Sequence, residues 1–391
     1  MLDSIFLWIS QTCSHVIREV QSTSRQHFRL AEILGVADKQ TPAAMSKLLP
    51  TSNALDNYPD LELNFTHMAH CLTEEVYERL FKLETTSGYR IDDVIQSGVD
   101  NPGKEYSLTV GCVAGDEETY NVFAELFDAV IEAYHNGYKA GNLHKRDIDF
   151  ESVECDLDET FVVSCNISTR RNIQGFCLPS FCSRAERRKV MKAVSECLKA
   201  IGGKGEFSFN GCEESAPNDF HRQMIRDWPD ARGLWRNADV AVTCNVDDHV
   251  TFSTARKPVK IVESAKSLYE CVTRFEGELK DKGHEFMWTS HHGYLTTCPS
   301  NLGTALTVEL RVRIPKLRRH FRFEEIITKL RLSAGDACDD EVNLANIDGL
   351  GRTEVEIVNL VLEGTRFLIE CEKKLEKGQK IDFDVNKLRQ L

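Results

Sequence analysis

An alternating segment in the second half of the chain constrains the fold most strongly. From Leu306 to Ile314 every second residue is apolar. The polar positions between them are Thr307, Glu309, Arg311 and Arg313. A period of two over this length is typical of a β-strand that buries one side and exposes the other. The shorter segment 161–168 alternates in the same way. We therefore expect a sheet with one face in a core and one face offered to a ligand.

Other stretches carry helical signals. Apolar residues between Phe123 and Tyr134 recur at helical spacing, and Thr73 precedes two glutamates as a helix start. Ser183-x-x-Glu186 forms a capping box, and a long final helix is predicted to end near Gly378. Helical signals dominate the first half, whereas strands and helices mix in the second. The pattern predicts an α+β protein in which a small all-α domain precedes a larger domain.

The domain boundaries follow from these patterns and from the prolines. Residues 39–57 contain two prolines and little periodicity, which is typical of a linker. We predict an N-terminal extension and linker over 1–57, a helical domain over 58–150 and a second domain over 151–385. The segment 239–245 predicts a further strand of that second domain.

Charge and cysteine usage exclude several classes of function. The net charge of −13 argues against general affinity for nucleic acid or anionic membranes, and the basic run between Arg311 and Arg322 is interpreted as a solvated face. The N-terminal apolar run is too short for a membrane span. The 14 cysteines include no Cys-x-x-Cys pair, so we expect reduced thiols and no metal site. A cytoplasmic location is expected, with the mitochondrial interior as the alternative.

Eight stretches together resemble the phosphagen kinases, and creatine kinase in particular. They are YPDLELNFTHMAHCLT, SGVDNPG, VGCVAGDEETY, GFCLPSFCSRAERR, RDWPDARGLWRN, EFMW, GYLTTCPSNLGT and LEKGQ. They run from about Tyr58 to Gln379, and RDWPDARG favours the creatine branch. This family transfers a phosphoryl group between ATP and a guanidino compound. The resemblance implies a helical N-terminal domain, and a C-terminal domain whose antiparallel sheet is flanked by helices and holds Mg-ATP, a fold related to glutamine synthetase.

Three residues match family positions that contact the guanidino substrate. The resemblance makes Cys298, in CPSNLGT, the cysteine that touches the substrate as a thiolate, with Ser300 available to lower its pKa. It makes Val99, in SGVDNPG, the apolar contact of the substrate methyl group. Two plainer interpretations stay open: Cys298 as a buried cysteine in a turn, and 97–103 as a turn retained for its backbone.

The family's phosphate-binding and catalytic positions are altered. Asn166 and Ser168 stand where the resemblance places two arginines, and Thr251 stands where it places a third. Of the two catalytic glutamates, one is replaced by Val246 and the expected base by Asp247, which is one methylene shorter.

The strand predicted from Leu306 to Ile314 departs from the family pattern in the same way. Thr307, Glu309 and Arg311 occupy the positions of a phosphate-binding arginine, a glycine and an adenine-contacting histidine. The family's mobile loop, which carries a fifth arginine, corresponds to the acidic segment 333–351, and its second adenine-contacting histidine has only a weak match in His221. Arg170, Arg311 and Arg313 are the candidate replacements for the lost cations.

Three functions compete on these residues. The first is a pseudoenzyme with a binding or assembly role, in which Mg-ATP or Mg-ADP binds weakly because hydrogen bonds to charged groups contribute about 1.5–3 kcal/mol each. The second is an active creatine kinase with a diverged nucleotide site. The third is a module that binds a guanidino metabolite, such as creatine, without nucleotide. Decay without selection is disfavoured because capping boxes and strand alternation persist. The resemblance also implies a homodimer, or a hetero-oligomer with a family member.

Overall fold

The computed structural model describes residues 53–104, 109–154, 157–202, 206–209, 231–256, 260–338 and 340–381. These residues form two compact units, the first ending at Val130 and the second beginning at Ile131. The N-terminal extension, most of the predicted linker, His221 and the beginning of the RDWPDARG motif lie outside the described residues. The three domain ranges taken from the sequence therefore stay predictions.

The described part of the first unit is helical. A 3₁₀ turn spans Ala54–Asn57, and the α-helices are α1 (His67–Cys71), α2 (Glu74–Leu80), α3 (Ile91–Asp100), α4 (Thr119–Val122) and α5 (Ala124–Tyr134), the last of which crosses into the second unit. The Thr73 side chain accepts a hydrogen bond from the Val76 N–H, so the predicted start of α2 is confirmed.

Helix α3 contains residues that the sequence placed in a turn. Residues 97–100 of SGVDNPG form its last turn, and the chain leaves the helix at Asn101, just before Pro102. Gly98 allows this because a Cβ there would lie 2.0 Å from the carbonyl oxygen of Gly111. Val99 is therefore a helical residue, half-buried within the first unit.

The second unit is built on an eight-stranded antiparallel sheet in the order β2-β3-β4-β5-β1-β8-β10-β9. Its strands are β1 (Val162–Arg171), β2 (Glu206–Phe209), β3 (Gly233–Arg236), β4 (Ala241–Cys244), β5 (Val250–Arg256), β8 (Leu306–Arg313), β9 (Leu332–Cys338) and β10 (Glu341–Asn346). A two-stranded ribbon pairs β6 (Trp288–Thr289) with β7 (Gly293–Tyr294). The α+β fold and the antiparallel sheet expected from the sequence are confirmed.

Helices cover the apolar face of this sheet. Beyond α5, the α-helices among the described residues of this unit are α6 (Arg184–Ile201), α7 (Ile261–Asp281), α8 (Pro315–Arg318), α9 (Phe323–Lys329) and α10 (Glu354–Glu376). Helix α7 packs on β1 and β5, and α10 packs on β8 and β10. The apolar residues of β8 are fully buried in the resulting core. Helix α6 begins with both halves of the predicted capping box at Ser183 and Glu186.

The opposite side of the sheet, which we call the polar face, carries the alternate residues of the strands. On β1 and β8 these are Ser164, Asn166, Ser168, Arg170, Thr307, Glu309 and Arg311. Their position follows from the two-residue repeat, because each lies between residues that enter the core. The alternation of apolar and polar residues from Leu306 to Ile314 therefore correctly predicted both faces of β8.

The acidic segment 333–351 is a hairpin rather than a loop. Most of it forms β9 and β10, and β10 adds to the sheet beside β8. Val342 and Leu344 alternate into the core, which explains why a segment rich in acids forms strands. The resemblance places a mobile loop at this position, whereas the structure has a paired hairpin there.

The basic run is balanced by acids and carbonyls of the same unit. Arg311 and Arg313 both pair with Glu341, and Arg319 pairs with Asp340. Lys316 reaches backbone carbonyls at the end of α10. These contacts fit the solvated face expected from the sequence. Among the described helices, none combines the length and the hydropathy that a bilayer crossing needs.

Candidate functional site

The site is built around the turn that carries Cys298. Cys298 caps a short 3₁₀ turn, Pro299–Asn301, and its Sγ lies 3.0 Å from the Ser300 Oγ. Proline fits the first position of such a turn because it needs no N–H partner there. The His135 Nε2 lies 2.9 Å from the Pro299 carbonyl, and Thr296 donates to the Cys298 carbonyl at 2.8 Å. The thiol is thereby held at a defined position.

Asp248 joins this turn to the sheet. One of its oxygens, Oδ1, accepts hydrogen bonds from the Asn172 side chain and from the Thr297 N–H, both at 2.8 Å. Asn172 follows the end of β1, whereas Asp248 lies in the turn between β4 and β5. Its other oxygen, Oδ2, is buried and has no hydrogen-bond partner among the described residues. A buried carboxylate oxygen without a donor is costly, so this atom is suited to accept an N–H from a ligand.

The electrostatics of Asp247 and Cys298 favour their neutral forms. Burial raises the pKa of Asp247, while Arg170 and Arg232 partly oppose the rise. Burial also raises the pKa of the Cys298 thiol, and the hydrogen bond with Ser300 partly opposes this rise. Asp248 raises the pKa of both groups through its negative charge. The site therefore holds a thiol rather than a readily formed thiolate.

The polar face continues from this centre and is lined mostly by uncharged groups. Ser168 lies opposite Thr307 on β8, and Asn166 lies opposite Glu309. On the other side of β1, Thr251 pairs with Arg170. Burial raises the pKa of Glu309 to about 6. A magnesium nucleotide needs several cations around its phosphates, and this set of donors fits it poorly.

Two arginines of the polar face are placed differently. Arg311 forms a salt bridge with Glu341, whose Oε2 lies 2.5 Å from the arginine Nε. Arg170 instead reaches across to β8, where its Nη1 donates to the Thr307 Oγ1 at 3.1 Å. Its guanidinium thus lies over the position where the resemblance expects a phosphate-binding arginine.

Comparison with known proteins decides the family. Residues 62–132 match the N-terminal domain of ATP:guanido phosphotransferases, and residues 191–375 match their C-terminal catalytic domain. The chain is 42% identical over 357 residues to creatine kinase B-type of Gallus gallus, covering 84% of this chain and 94% of that protein. This chain belongs to the ATP:guanido phosphotransferase, or phosphagen kinase, family.

Further comparisons agree with this assignment. The testis isozyme of creatine kinase from Oncorhynchus mykiss is 40% identical over 377 residues, which cover 89% of this phosphagen kinase and 97% of the relative. The crystal structure of a lombricine kinase matches with a TM-score of 0.74 at 33% identity, over 85% of this chain and 98% of that one. A duplicated taurocyamine kinase from Schistosoma mansoni, at 23% identity and a TM-score of 0.69 over 81% of this chain and 48% of that one, shares the fold.

The site residues expected from the sequence fall into three groups. Asp247, Cys298 and Ser300 belong to one centre, at the end of the sheet where the β4–β5 turn meets the Cys298 turn. The degenerate nucleotide positions share the polar face; they are Asn166, Ser168, Thr251, Thr307 and Arg311. Val99 belongs to the first unit.

The sequence did not assign roles to two residues that the structure makes central. Asp248 stands beside the expected base, yet only the fold reveals that it ties the Cys298 turn to β1. Glu341 occupies Arg311, and nothing in the alternation of β8 indicates that pair. His249, by contrast, is structural: both ring nitrogens contact backbone atoms, and burial lowers its pKa to about 4.

Proposed function

We propose that this phosphagen kinase is a creatine-kinase-like protein with impaired phosphotransfer, which retains a site for a guanidino compound. One observation carries the proposal. The strand positions where the resemblance places phosphate-binding arginines carry neutral side chains on the polar face, and the carboxyl group of Glu309 lies on the same face. Each hydrogen bond to a charged group contributes about 1.5–3 kcal/mol. Losing several of them removes most of an ordinary nucleotide affinity.

The reacting groups support the same proposal. A base that takes a proton from a guanidinium must be ionised, and burial raises the pKa of Asp247. Aspartate also ends about 1 Å short of a glutamate, and such a displacement can lower the rate by about 10²-fold. Cys298 is expected to act as a thiolate, yet burial raises its pKa as well. Both shifts act against catalysis, because each favours the protonated form of its group.

Binding of a guanidino compound has support of its own. The unpartnered Asp248 Oδ2 belongs to the same centre as Asp247 and Cys298. A guanidinium offers N–H donors in a plane, which suits carboxylate oxygens. The named relatives act on creatine, lombricine or taurocyamine, and creatine is the proposed ligand because the full-length relatives are creatine kinases. We extend the proposal to a homodimer or a hetero-oligomer with a family member, in the cytoplasm or the mitochondrial interior.

An active creatine kinase with a diverged nucleotide site is the second candidate. It is favoured by Arg170, whose guanidinium reaches the Thr307 hydroxyl and replaces one lost cation in space. The other two candidate replacements, Arg311 and Arg313, both pair with Glu341.

Three measurements on the purified full chain test the proposal. Isothermal titration with Mg-ADP should give no micromolar binding, and coupled formation of ATP from phosphocreatine should not exceed that of the Cys298→Ala variant. Thermal denaturation should shift upward with creatine alone. Micromolar affinity for Mg-ADP would overturn the impaired nucleotide site, and turnover abolished by Asp247→Asn would establish the active kinase. Absence of any shift at high millimolar creatine would remove the guanidino site.

A further inference from the structure

Arg170 stands out on the polar face because of where its guanidinium lies. It occupies the next-to-last position of β1, and its backbone N–H donates to the Ala305 carbonyl at 3.2 Å. The side chain crosses to β8 and donates from Nη1 to the Thr307 Oγ1 at 3.1 Å. Strand pairing therefore holds the Arg170 backbone, and the Thr307 hydroxyl holds its guanidinium.

Part of this guanidinium is left without a partner. Among the residues that the structure describes, the buried Arg170 Nε has no hydrogen-bond acceptor. A guanidinium N–H cut off from water without an acceptor is unfavourable, and an orphaned donor beside a reactive centre indicates a missing acceptor. Because the group is cationic, an anionic oxygen would satisfy it best.

Three other arginines of this unit already have partners. Arg311 and Arg313 both contact the carboxylate of Glu341. Arg232 donates from Nε to the Asn245 carbonyl at 2.8 Å. Arg170 donates to a neutral hydroxyl, so its charge is not cancelled by that contact. It still lies close enough to Asp247 and Cys298 to influence both electrostatically.

We propose that Arg170 is the anion-binding residue of this site and that it holds a single phosphate-sized oxyanion between β1 and β8, beside Thr307 and Ser168. One guanidinium with two hydroxyls matches one phosphoryl group, whereas three phosphates with magnesium need several cations. The inference rests on the proposed function in one respect: a phosphorylated guanidino compound would place its other end at Asp247 and Asp248. Inorganic phosphate carries the same oxyanion without that end.

Titration of the full chain with inorganic phosphate and with phosphocreatine, without magnesium or nucleotide, tests the assignment. Arg170→Gln should lower the association constant for both by about tenfold or more, the loss typical of a hydrogen bond between charged groups. Arg313→Gln is the matched control, because it removes an arginine of the same face that Glu341 already engages. It should leave both association constants unchanged.

Two further variants separate binding from support of the fold. Asp247→Asn removes the negative charge that Asp247 carries when it is ionised, and should therefore strengthen phosphate binding in alkaline solution. In the double variant Arg170→Gly with Thr307→Arg, the guanidinium comes from β8 and binding should return. If Arg170 only balanced Asp247 in the fold, Arg170→Gln would lower the melting temperature and leave anion binding unchanged, which would overturn the proposal.

The remaining outcomes are equally decisive. Equal affinity of the wild type and Arg170→Gln for phosphocreatine, or no binding of either ligand to the folded wild type at millimolar concentration, contradicts the role of Arg170. Arg170-dependent binding of phosphocreatine that exceeds that of phosphate supports it, and so does equal, Arg170-dependent binding of the two. Mg-ADP binding or turnover would contradict the proposed function without contradicting anion binding by Arg170.

Discussion

Glu309 offers the sharpest test of the electrostatics of the polar face. Burial raises the pKa of its carboxyl to about 6 from an ordinary value of 4.5. Because one pKa unit corresponds to about 1.4 kcal/mol, the charged carboxylate costs the folded state about 2 kcal/mol. The folded-state pKa lies above the unfolded one. The cost is therefore fully present above about pH 6, and it disappears as the pH falls from there toward 4.5.

Glu309→Gln should therefore stabilise the protein by about 2 kcal/mol at pH 7 and above. The gain should shrink toward zero between pH 6 and pH 4.5. Urea unfolding at a series of pH values measures this gain. The fluorescence of Trp235 and Trp288, which lie in the same unit, is the signal. Glu270→Gln is the control, because Glu270 is exposed in the middle of α7 and its removal should change stability by less than about 0.5 kcal/mol.

The pH dependence of the gain distinguishes an effect of charge from an effect of packing. A gain of the same size at every pH would mean that packing, and not charge, explains the effect of Glu309→Gln. Absence of any gain at pH 7 would refute the desolvated carboxylate altogether. If the reasoning holds, the same substitution also raises the affinity of the polar face for phosphate, because it removes a negative charge close to the proposed anion.

Three further predictions concern the site and its support. Alkylation of Cys298, followed by peptide mass spectrometry, should be slow at neutral pH and accelerate only in alkaline solution, because burial raises the thiol pKa; a plateau near neutral pH would contradict this. Glu372→Ala should cost about 2–4 kcal/mol in urea unfolding, because its buried carboxylate accepts two backbone N–H bonds, at 2.7 and 3.1 Å, from the first turn of α8. Exposed Glu376→Ala is its control, and a loss no larger than the control's would refute that role. Gly303→Ala should cost about 3 kcal/mol or more, because its φ is +89° and a Cβ would lie 2.3 Å from a carbonyl oxygen. Gly277→Ala, which meets open space in α7, should not destabilise, and equal effects of the two substitutions would exclude a steric cause.

The sequence by itself determined the α+β architecture and the types of side chain on the polar face. Strand alternation assigned Thr307 and Glu309 to the polar face, because a period of two depends only on neighbours along the chain. The capping box at Ser183 and the cap at Thr73 defined helix starts for the same local reason. The resemblance to the family singled out Cys298 and Asp247, and it predicts which arginines are replaced.

Only the tertiary structure decided which charges remain available. The capture of Arg311 by Glu341 depends on β10 pairing with β8, and the reach of Arg170 to Thr307 depends on the register of β1. The unpartnered Asp248 Oδ2 and the raised pKa of Glu309 arise from burial by segments distant in sequence. Pairing and desolvation are properties of groups brought together in space, so a pattern of neighbours along the chain does not encode them.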